Sequence, residues 1–399
     1  MRRFTDAERR ARLGVRHRLA HAERAEDPVA AAAAVVALHS TDPASVFLSA
    51  WSRMRAGGVE EVERALYGDR TLVRVMGMRR TVFAAPPDTA ATILAACGRD
   101  VAARERRKLL QMLAHAEPED GELPEDVGAW LTEVEHAAVD ALRAGGQLSA
   151  TDLCARDARL RTILVPGRDT KYAARQKLGS RILTILGADG RAVRVRPKGT
   201  WASTQFRWAV MDAWSPAAVP ALTTADARTE LARGWLRAFG PAPAEDLRWW
   251  TGWGVGTTRT ALAAAGAVEV DCAGVPGVAL PDDDLEPTPP PAPWAALLPA
   301  LDPTTMGWKG REFYLADHGP RLFDRTGNAS PTVWWSGRVV GGWAQRPTGE
   351  VVHELVEDVG AEGVAAIEAE ADRLQRFLGD VRLTPRARGR SPVEAALVA

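Results

Sequence analysis

Asp42-Pro43-Ala44-Ser45-Val46-Phe47-Leu48-Ser49-Ala50-Trp51, followed by Thr71-Leu72-Val73-Arg74-Val75-Met76 and, across Gly77-Met78-Arg79-Arg80, by Thr81-Val82-Phe83, is the stretch whose reading decides the fold. Asp as a cap with Pro at the first helical position opens a helix. Val46, Phe47, Ala50, Trp51 and Met54 then recur at helical spacing, and Gly57-Gly58 stops it. The two later runs have strand composition and a turn between them. Upstream, Asp27-Pro28 repeats the start signal and predicts a helix from Val29 to about Ser40. Phe4 to His17 predicts another, with Phe4, Ala7, Leu13 and Val15 as core contacts. Val59 to Tyr67 adds a short one. Helices followed by a two-stranded ribbon is the plan of a winged helix-turn-helix, placed at residues 1–95.

The plan recurs along the chain. An acidic helical connector, Arg99 to about Arg143, leads to Ser149, a cap with Asp152 in the third position. A helix over Thr170 to Leu186 and a strand over Arg191 to Arg196 complete a second unit at 96–215. That strand alternates basic and apolar residues, giving one cationic face. Thr224 to Phe239, Ala244 to Trp253 and Thr257 to Ala265 predict helices and Ala267 to Asp271 a strand, for a third unit at 216–285. The proline-rich segment Pro281–Pro293 reads as an extended, poorly packed linker. Beyond it, Pro331 to Trp335 and Arg338 to Trp343 predict a hairpin across a tight Ser336-Gly337 turn. Gly360 to about Gly379 predicts a helix, and the tail after Pro385 a loose end. The expected fold class is α+β: tandem winged helix-turn-helix modules with a β-rich C-terminal domain at 286–399, its linker included.

The chain has 399 residues and a formal net charge of zero. It lacks a long uncharged apolar run and an apolar leader at the start, so a membrane span and a signal peptide are both disfavoured. Cys97, Cys154 and Cys272 lie far apart, against a disulfide framework or a cysteine zinc site. A cytoplasmic, nucleoid-associated protein is expected. The neutral total hides a basic block. Thr151 to Met211 carries 13 Lys/Arg against four Asp/Glu. Met1 to Ala25 is also arginine-rich, whereas Pro241 to Ala300 is acidic. A basic block beside acidic ones suggests a face for a polyanion.

Common enzyme signatures are missing: there is no G-x-x-x-x-G-K-[ST], H-E-x-x-H or G-x-S-x-G. Gly252-Trp253-Gly254-Val255-Gly256 follows no apolar strand, which argues against a dinucleotide site. The histidines are scattered, which argues against a metal centre. Leu38-His39-Ser40-Thr41-Asp42-Pro43 is chemically denser, with an imidazole, two hydroxyls and a carboxylate at a helix junction. Asp42 or Thr41 as a helix cap, with His39 at the end of the preceding helix, explains this segment without any chemistry.

Resemblance gives it a second reading. His39 to Trp51 is similar to the early helix junction of the AlkZ/YcaQ superfamily of winged-helix DNA glycosylases. So are Val75 to Thr81, Gly199 to Trp208, Arg237 to Ala242, Leu298 to Asp302 and Gly341 to Arg346, in the expected order along most of the chain. The resemblance implies tandem winged helices around a DNA-binding concavity, and excision of alkylated purines, including bulky N7 adducts and, in some members, interstrand crosslinks. The family signature, Gln–apolar–Gln or Gln–apolar–Asp, aligns with His39-Ser40-Thr41. Here neither Gln is present, the middle residue is polar, and the carboxylate comes one position late, at Asp42.

On this reading His39, Thr41 and Asp42 are the candidate catalytic residues of a monofunctional glycosylase that directs water at C1′ of an N7-alkylated purine nucleotide. Asp42 is the electrostatic partner or base, with His39 and Thr41 holding the water. No metal and no organic cofactor is called for. The partner is double-stranded DNA carrying an alkylated purine, bound by a monomer away from any membrane. Candidate DNA contacts are Arg79, Arg80, Arg194, Arg196, Lys198, Trp201, Ser203, Gln205, Arg207, Arg338 and Arg346. Arg338 is placed at a hairpin tip suited to probing a groove. The alternative is a non-catalytic winged-helix DNA-binding protein, either a regulator or a lesion binder.

Overall fold

A computed structural model describes residues 2–118, 122–165, 175–283, 288–384 and 389–399. The architecture is mixed α+β, with many helices and several small sheets. In the first stretch, helices Pro28–Ala33 and Pro43–Arg53 flank a short strand, Leu38–His39, and a hairpin, Val73–Met76 with Val82–Ala85, follows. The short strand pairs with the second hairpin strand, so its position in the sheet is next to Val82–Ala85 rather than Val73–Met76. The same order recurs around Leu148–Ser149, helices Ala150–Arg156 and Leu178–Ala188, and the hairpin Ala192–Arg194 with Arg207–Val210. It recurs again in Thr224–Phe239, Ala244–Thr251, Val255–Ala264 and the hairpin Val268–Cys272 with Val275–Ala279. There a single bridge, Ala242 to Val278, stands for the short strand, and Arg3–Phe4 joins the far edge as a parallel strand.

The C-terminal part is a four-stranded antiparallel sheet, Ala295–Leu298, Thr332–Trp335, Arg338–Gln345 and Val351–Leu355, covered by helix Gly360–Leu378. Ser336 and Gly337 both have positive φ (45° and 85°), the signature of the two-residue turn expected there. The turn is not a free tip. Gly337 packs so closely on Arg10 that a Cβ would lie 2.8 Å from its carbonyl oxygen, and Arg338 pairs with Glu357 at 2.9 Å.

Several local expectations change. The helix expected to reach Ser40 ends at Ala33, and His39 lies in a strand. Val35 and Val36 lie in the turn that follows, where Val36 takes a left-handed conformation (φ 66°) that no helix continues through. The helix Asp6–Arg16 turns Ala7 to solvent and buries Arg9, Ala11, Arg12 and Leu13 instead. Its arginines are neutralised internally: Arg12 and Arg16 both bind Asp283, and Arg9 lies 3.7 Å over the Phe313 ring. The N-terminal basic run is therefore largely spent inside the molecule. The same contact holds the start of the proline-rich segment, because Asp283 is buried. The connector forms two helices, Arg99–Leu113 and Val127–Gly145. The helix expected from Thr170 begins at Leu178, after a strand at Gln176–Lys177, and its first expected turn lies outside the described residues. The tail ends in a helix, Pro392–Leu397, anchored by buried Val393.

One core unites the first stretch, the third and the C-terminal sheet, while residues 109–210 build a second core around Leu142, Leu186 and Trp208. Three tryptophans of the shared core satisfy their indole N–H on a carbonyl or hydroxyl: Trp308 donates to Phe239, Trp343 to Leu298 and Trp334 to Thr332, while buried Trp235 has no partner. At its centre lies an ion pair, Arg53 with Asp302, both side chains fully buried, at 2.6 and 2.9 Å. Ser49 and the Thr304 N–H complete the carboxylate's bonds. Thr304 donates to His17 Nδ1 at 2.9 Å, and His17 Nε2–H donates to the Ala238 carbonyl at 3.0 Å. Burial and the neighbouring Arg53 push the His17 pKa down to about 3.

This sets a pH dependence. The unfolded chain takes up a proton near pH 6.5, and the folded chain resists it down to about 3, so stability falls with pH across that window. The loss from this one group is about 2 kcal/mol between pH 6.5 and 5. Urea unfolding of His17→Asn is expected to show lower stability at pH 7.5, by about 1–3 kcal/mol, and a correspondingly shallower loss on acidification.

Candidate active site

A cleft of about 600 Å³ opens between the first stretch and the C-terminal part. His39, Thr41, Asp42, Arg79 and Arg80 all line it, with Phe83 and Trp250 on its apolar side and Leu301, Met306, Asp324 and Asn328 opposite in sequence. Strand alternation explains how His39 and Thr41 come together. Residues of one strand face opposite sides in turn, so both meet the cleft while Ser40 turns inward and is fully buried. Ser40 N–H donates to the Val82 carbonyl at 2.8 Å, and Ser40 Oγ accepts from Arg74 Nε at 2.8 Å. A polar residue is thus accommodated in the middle of this segment because Arg74 satisfies it.

His39 sits edge-on to Phe83, ring centroids 6.0 Å apart. Thr41 Oγ1 accepts from the Val82 N–H at 3.1 Å, which leaves its own hydroxyl proton to donate. Asp42 Oδ1 accepts from the Ala44 N–H at 2.8 Å and caps helix Pro43–Arg53. A helix N-terminus favours negative charge there. Four non-glycine residues of positive φ cluster around this space: Val36 (66°), Arg79 (50°), Arg80 (62°) and Leu301 (60°). Each costs about 1–3 kcal/mol, a cost met elsewhere chiefly at functional sites. Gly252, itself at φ 77°, lies so near the turn that a Cβ would approach Arg79 Cγ to 3.2 Å. The glycine-rich run Gly252–Gly256 is thus a helix-to-helix turn against the site.

The rim is basic. Arg79 stacks 3.9 Å over Trp249, which also carries Arg311 at 5.0 Å, and neither arginine has a carboxylate partner among the described residues. Arg80 binds Glu105 at 3.1 Å. A second groove, of about 700 Å³, is lined by Arg194, Lys198, Gln205 and Phe206 together with Ser180 and Thr184 of helix Leu178–Ala188. A ladder of cations and rings runs beside it: Arg196 over Tyr67, Arg74 between Tyr67 and Phe206, Arg194 between Phe206 and Trp208, all within 4.6–5.5 Å. Arg74 Nη2 and Arg194 Nε are buried without hydrogen-bond partners. Burial and Arg74 push the Arg194 pKa down to about 10, so it stays charged at neutral pH.

The other sequence candidates lie elsewhere. Trp201 packs in the core against Phe47 (5.0 Å) and Phe377 (5.9 Å) and presents little surface. Ser203 accepts from the Gln205 N–H, and Arg207 donates to the Arg196 carbonyl, so both shape the second groove's edge. Arg196 binds Glu63 at 2.7 Å. Arg346 binds Glu350 at 2.7 Å and lines a smaller pocket that shares Asp42 with the main cleft. Arg338 is outside the lining of all these spaces. Sequence reasoning missed Arg311, Met306, Asp324 and Asn328. Only the turn composition of Asp324-Arg325-Thr326-Gly327-Asn328 carried a signal.

Comparison with known proteins places this architecture. The fold matches the solved structure of the Streptomyces sahachiroi DNA glycosylase AlkZ with a TM-score of 0.71 over 97% of this chain and 100% of that one, at 20% identity. No curated protein matches the chain. A family model, DNA glycosylase AlkZ-like, matches residues 32–377. The chain belongs to the AlkZ-like DNA glycosylase family, and so to the proteins of DNA repair that answer alkylation damage. Among the described residues no helix is long and apolar enough to cross a membrane.

Proposed function

We propose that this protein is a monofunctional DNA glycosylase that excises N7-alkylated purines, bulky or crosslinked adducts among them, from duplex DNA. The observation that carries the reading is the convergence of His39, Thr41 and Asp42 on one basic-rimmed cleft in a chain of this family. We read the chain as three winged-helix units, 1–95, 96–215 and 216–285, before a β-rich part at 286–399, acting as a monomer on nucleoid DNA. The recurring sheet order supports this, since a short strand pairs with the second strand of the wing in each unit.

The chemistry follows from the leaving group. N7-alkylation makes the purine cationic, so C1′–N9 cleavage leaves an oxocarbenium-like sugar and a neutral base. The catalytic need is a negative charge beside C1′ and an oriented water. Asp42 supplies the charge, and takes the proton as water adds to C1′. Thr41 donates its hydroxyl proton to hold that water, and His39 fixes it from the same face of the strand. Since the leaving base needs no protonation, the reaction proceeds without a cofactor. Arg79 and Arg311 on one rim, and Arg194, Lys198 and Gln205 in the second groove, meet phosphates. Arg74 Nη2 and Arg194 Nε, the atoms of these two guanidiniums that lack hydrogen-bond partners, lie beside that groove, and their charges are offset when DNA phosphates arrive.

Two expectations test this. Arg79→Ala is expected to weaken duplex binding and reduce the slope of log affinity against log salt by about 1, with thermal stability kept, because no carboxylate is left unpaired. Fluorescence anisotropy across a salt series reads it. Asp42→Asn keeps the helix cap, since Asn and Asp cap about equally well. It is expected to bind DNA normally and to lose excision of N7-methylguanine, read by alkaline cleavage of abasic sites. His39→Ala is expected to slow excision strongly and Thr41→Ala less. Full activity in Asp42→Asn would return that residue to a purely structural cap. A wild-type protein inactive on small and bulky N7 adducts alike would be the non-catalytic DNA binder instead.

A further inference from the structure

The far wall of the cleft contains a turn that the proposed hydrolysis does not use. Asp324-Arg325-Thr326-Gly327-Asn328 closes between the Phe323 and Ala329 bridge partners. Asp324 Oδ1 accepts from the Thr326 N–H and hydroxyl, both at 2.8 Å, and from the Asn328 N–H at 3.0 Å. Burial pushes the Asp324 pKa up, but these donors outweigh it and hold the carboxyl below its usual value, so it is ionised. The Asn328 side-chain NH₂ then spends one proton on Asp324 Oδ2 (3.1 Å) and the other on Thr326 Oγ1 (2.7 Å).

This fixes which end of the Asn328 amide is which. A flipped amide would set its oxygen against an ionised carboxylate, and Thr326, already donating to Asp324, has no second proton for it. The remaining atom is Oδ1. It has no hydrogen-bond donor among the described residues, it is not one of the buried unsatisfied atoms, and Asn328 lines the cleft. The turn is therefore a rigid mount for one oriented acceptor. The arginines of the rim offer only donors, so this acceptor answers a different feature of the substrate.

Resting on the glycosylase reading above, we infer that Asn328 is a specificity-determining residue whose Oδ1 accepts a hydrogen bond from the exocyclic N2 amine of guanine. That amine is the donor that guanine, and no other base, presents in the minor groove. It is available whether or not the base leaves the stack. The contact selects guanine adducts over adenine adducts.

The test uses two duplexes, identical except for one base: N7-methylguanine, or N7-methylhypoxanthine, in which hydrogen replaces the N2 amine. Single-turnover excision of each is divided by its own spontaneous depurination. Wild type is expected to favour the guanine adduct by about tenfold, the worth of one hydrogen bond at a half-exposed site. Asn328→Ala is expected to bring the ratio near one by slowing the guanine reaction alone, with the hypoxanthine reaction unchanged. The wild-type ratio tests the contact even if the variant folds poorly. Equal rates for wild type on the two adducts, or equal slowing of both by Asn328→Ala, overturns the role of Asn328 and leaves the glycosylase reading intact. Where wild type excises neither methyl adduct, the comparison is made with the matched pair of bulky N7 adducts, and excision of none of the four overturns that reading and this proposal with it.

Discussion

The buried pair of Arg53 and Asp302 is the constraint on which the rest of the cleft depends. Two charges inside a protein are tolerated when hydrogen bonds offset their desolvation, and removing one partner costs about 3–5 kcal/mol. Here Ser49 and the Thr304 N–H complete the carboxylate's bonds and Thr304 Oγ1 accepts from Arg53 Nη2, while Arg53 Nε is left without a partner. The geometric consequence is larger than the energy. Arg53 ends the helix that Asp42 begins, and Asp302 stands between Leu301 and Pro303 on the cleft lining. The carboxylate proposed for catalysis and the wall that carries Leu301 and Pro303 are thus fastened to one another through a pair that lies about 16 Å of helix from Asp42 and directly behind that wall.

The ladder of arginines and rings plays a comparable part between the first two stretches. Tyr67 and Arg74 come from one, and Arg194, Phe206 and Trp208 from the other. Arginine suits this role because its planar cation stacks on a ring while its edges still donate. Through Arg74 and Ser40 the ladder reaches the His39–Thr41 segment itself. Arg194 of the second groove is thus linked through Phe206, Arg74 and Ser40 to the segment that carries His39 and Thr41.

Much of the fold was legible because local signals were strong. Asp-Pro starts at Asp27 and Asp42, the Ser149 capping box and the Ser336-Gly337 turn all mark what they should. What failed was the reading of arginine as surface. Arg9, Arg12 and Arg24 are buried against rings and carboxylates brought from the far end of the chain, and no local pattern announces such partners. Trp201 was misjudged for the same reason, since its neighbours Phe47 and Phe377 are distant in sequence. Within the site, His39, Thr41 and Asp42 were readable as a dense cluster. Arg311 and Asn328 were not, because their relevance depends on a tertiary approach of the C-terminal part to the first hairpin.

The left-handed residues around the cleft have a consequence for the encounter with a substrate. Val36, Arg79, Arg80 and Leu301 are held in conformations they would leave if the surrounding packing loosened. Their shape is settled when the chain folds, not when a ligand arrives. A wall built this way has little room to mould itself to what enters it. The duplex is the softer partner, and its pyrimidine–purine steps and damaged, weakly stacked sites yield first. How easily a lesion lets the helix deform then becomes a form of recognition in its own right, read by a rigid surface before any base is touched.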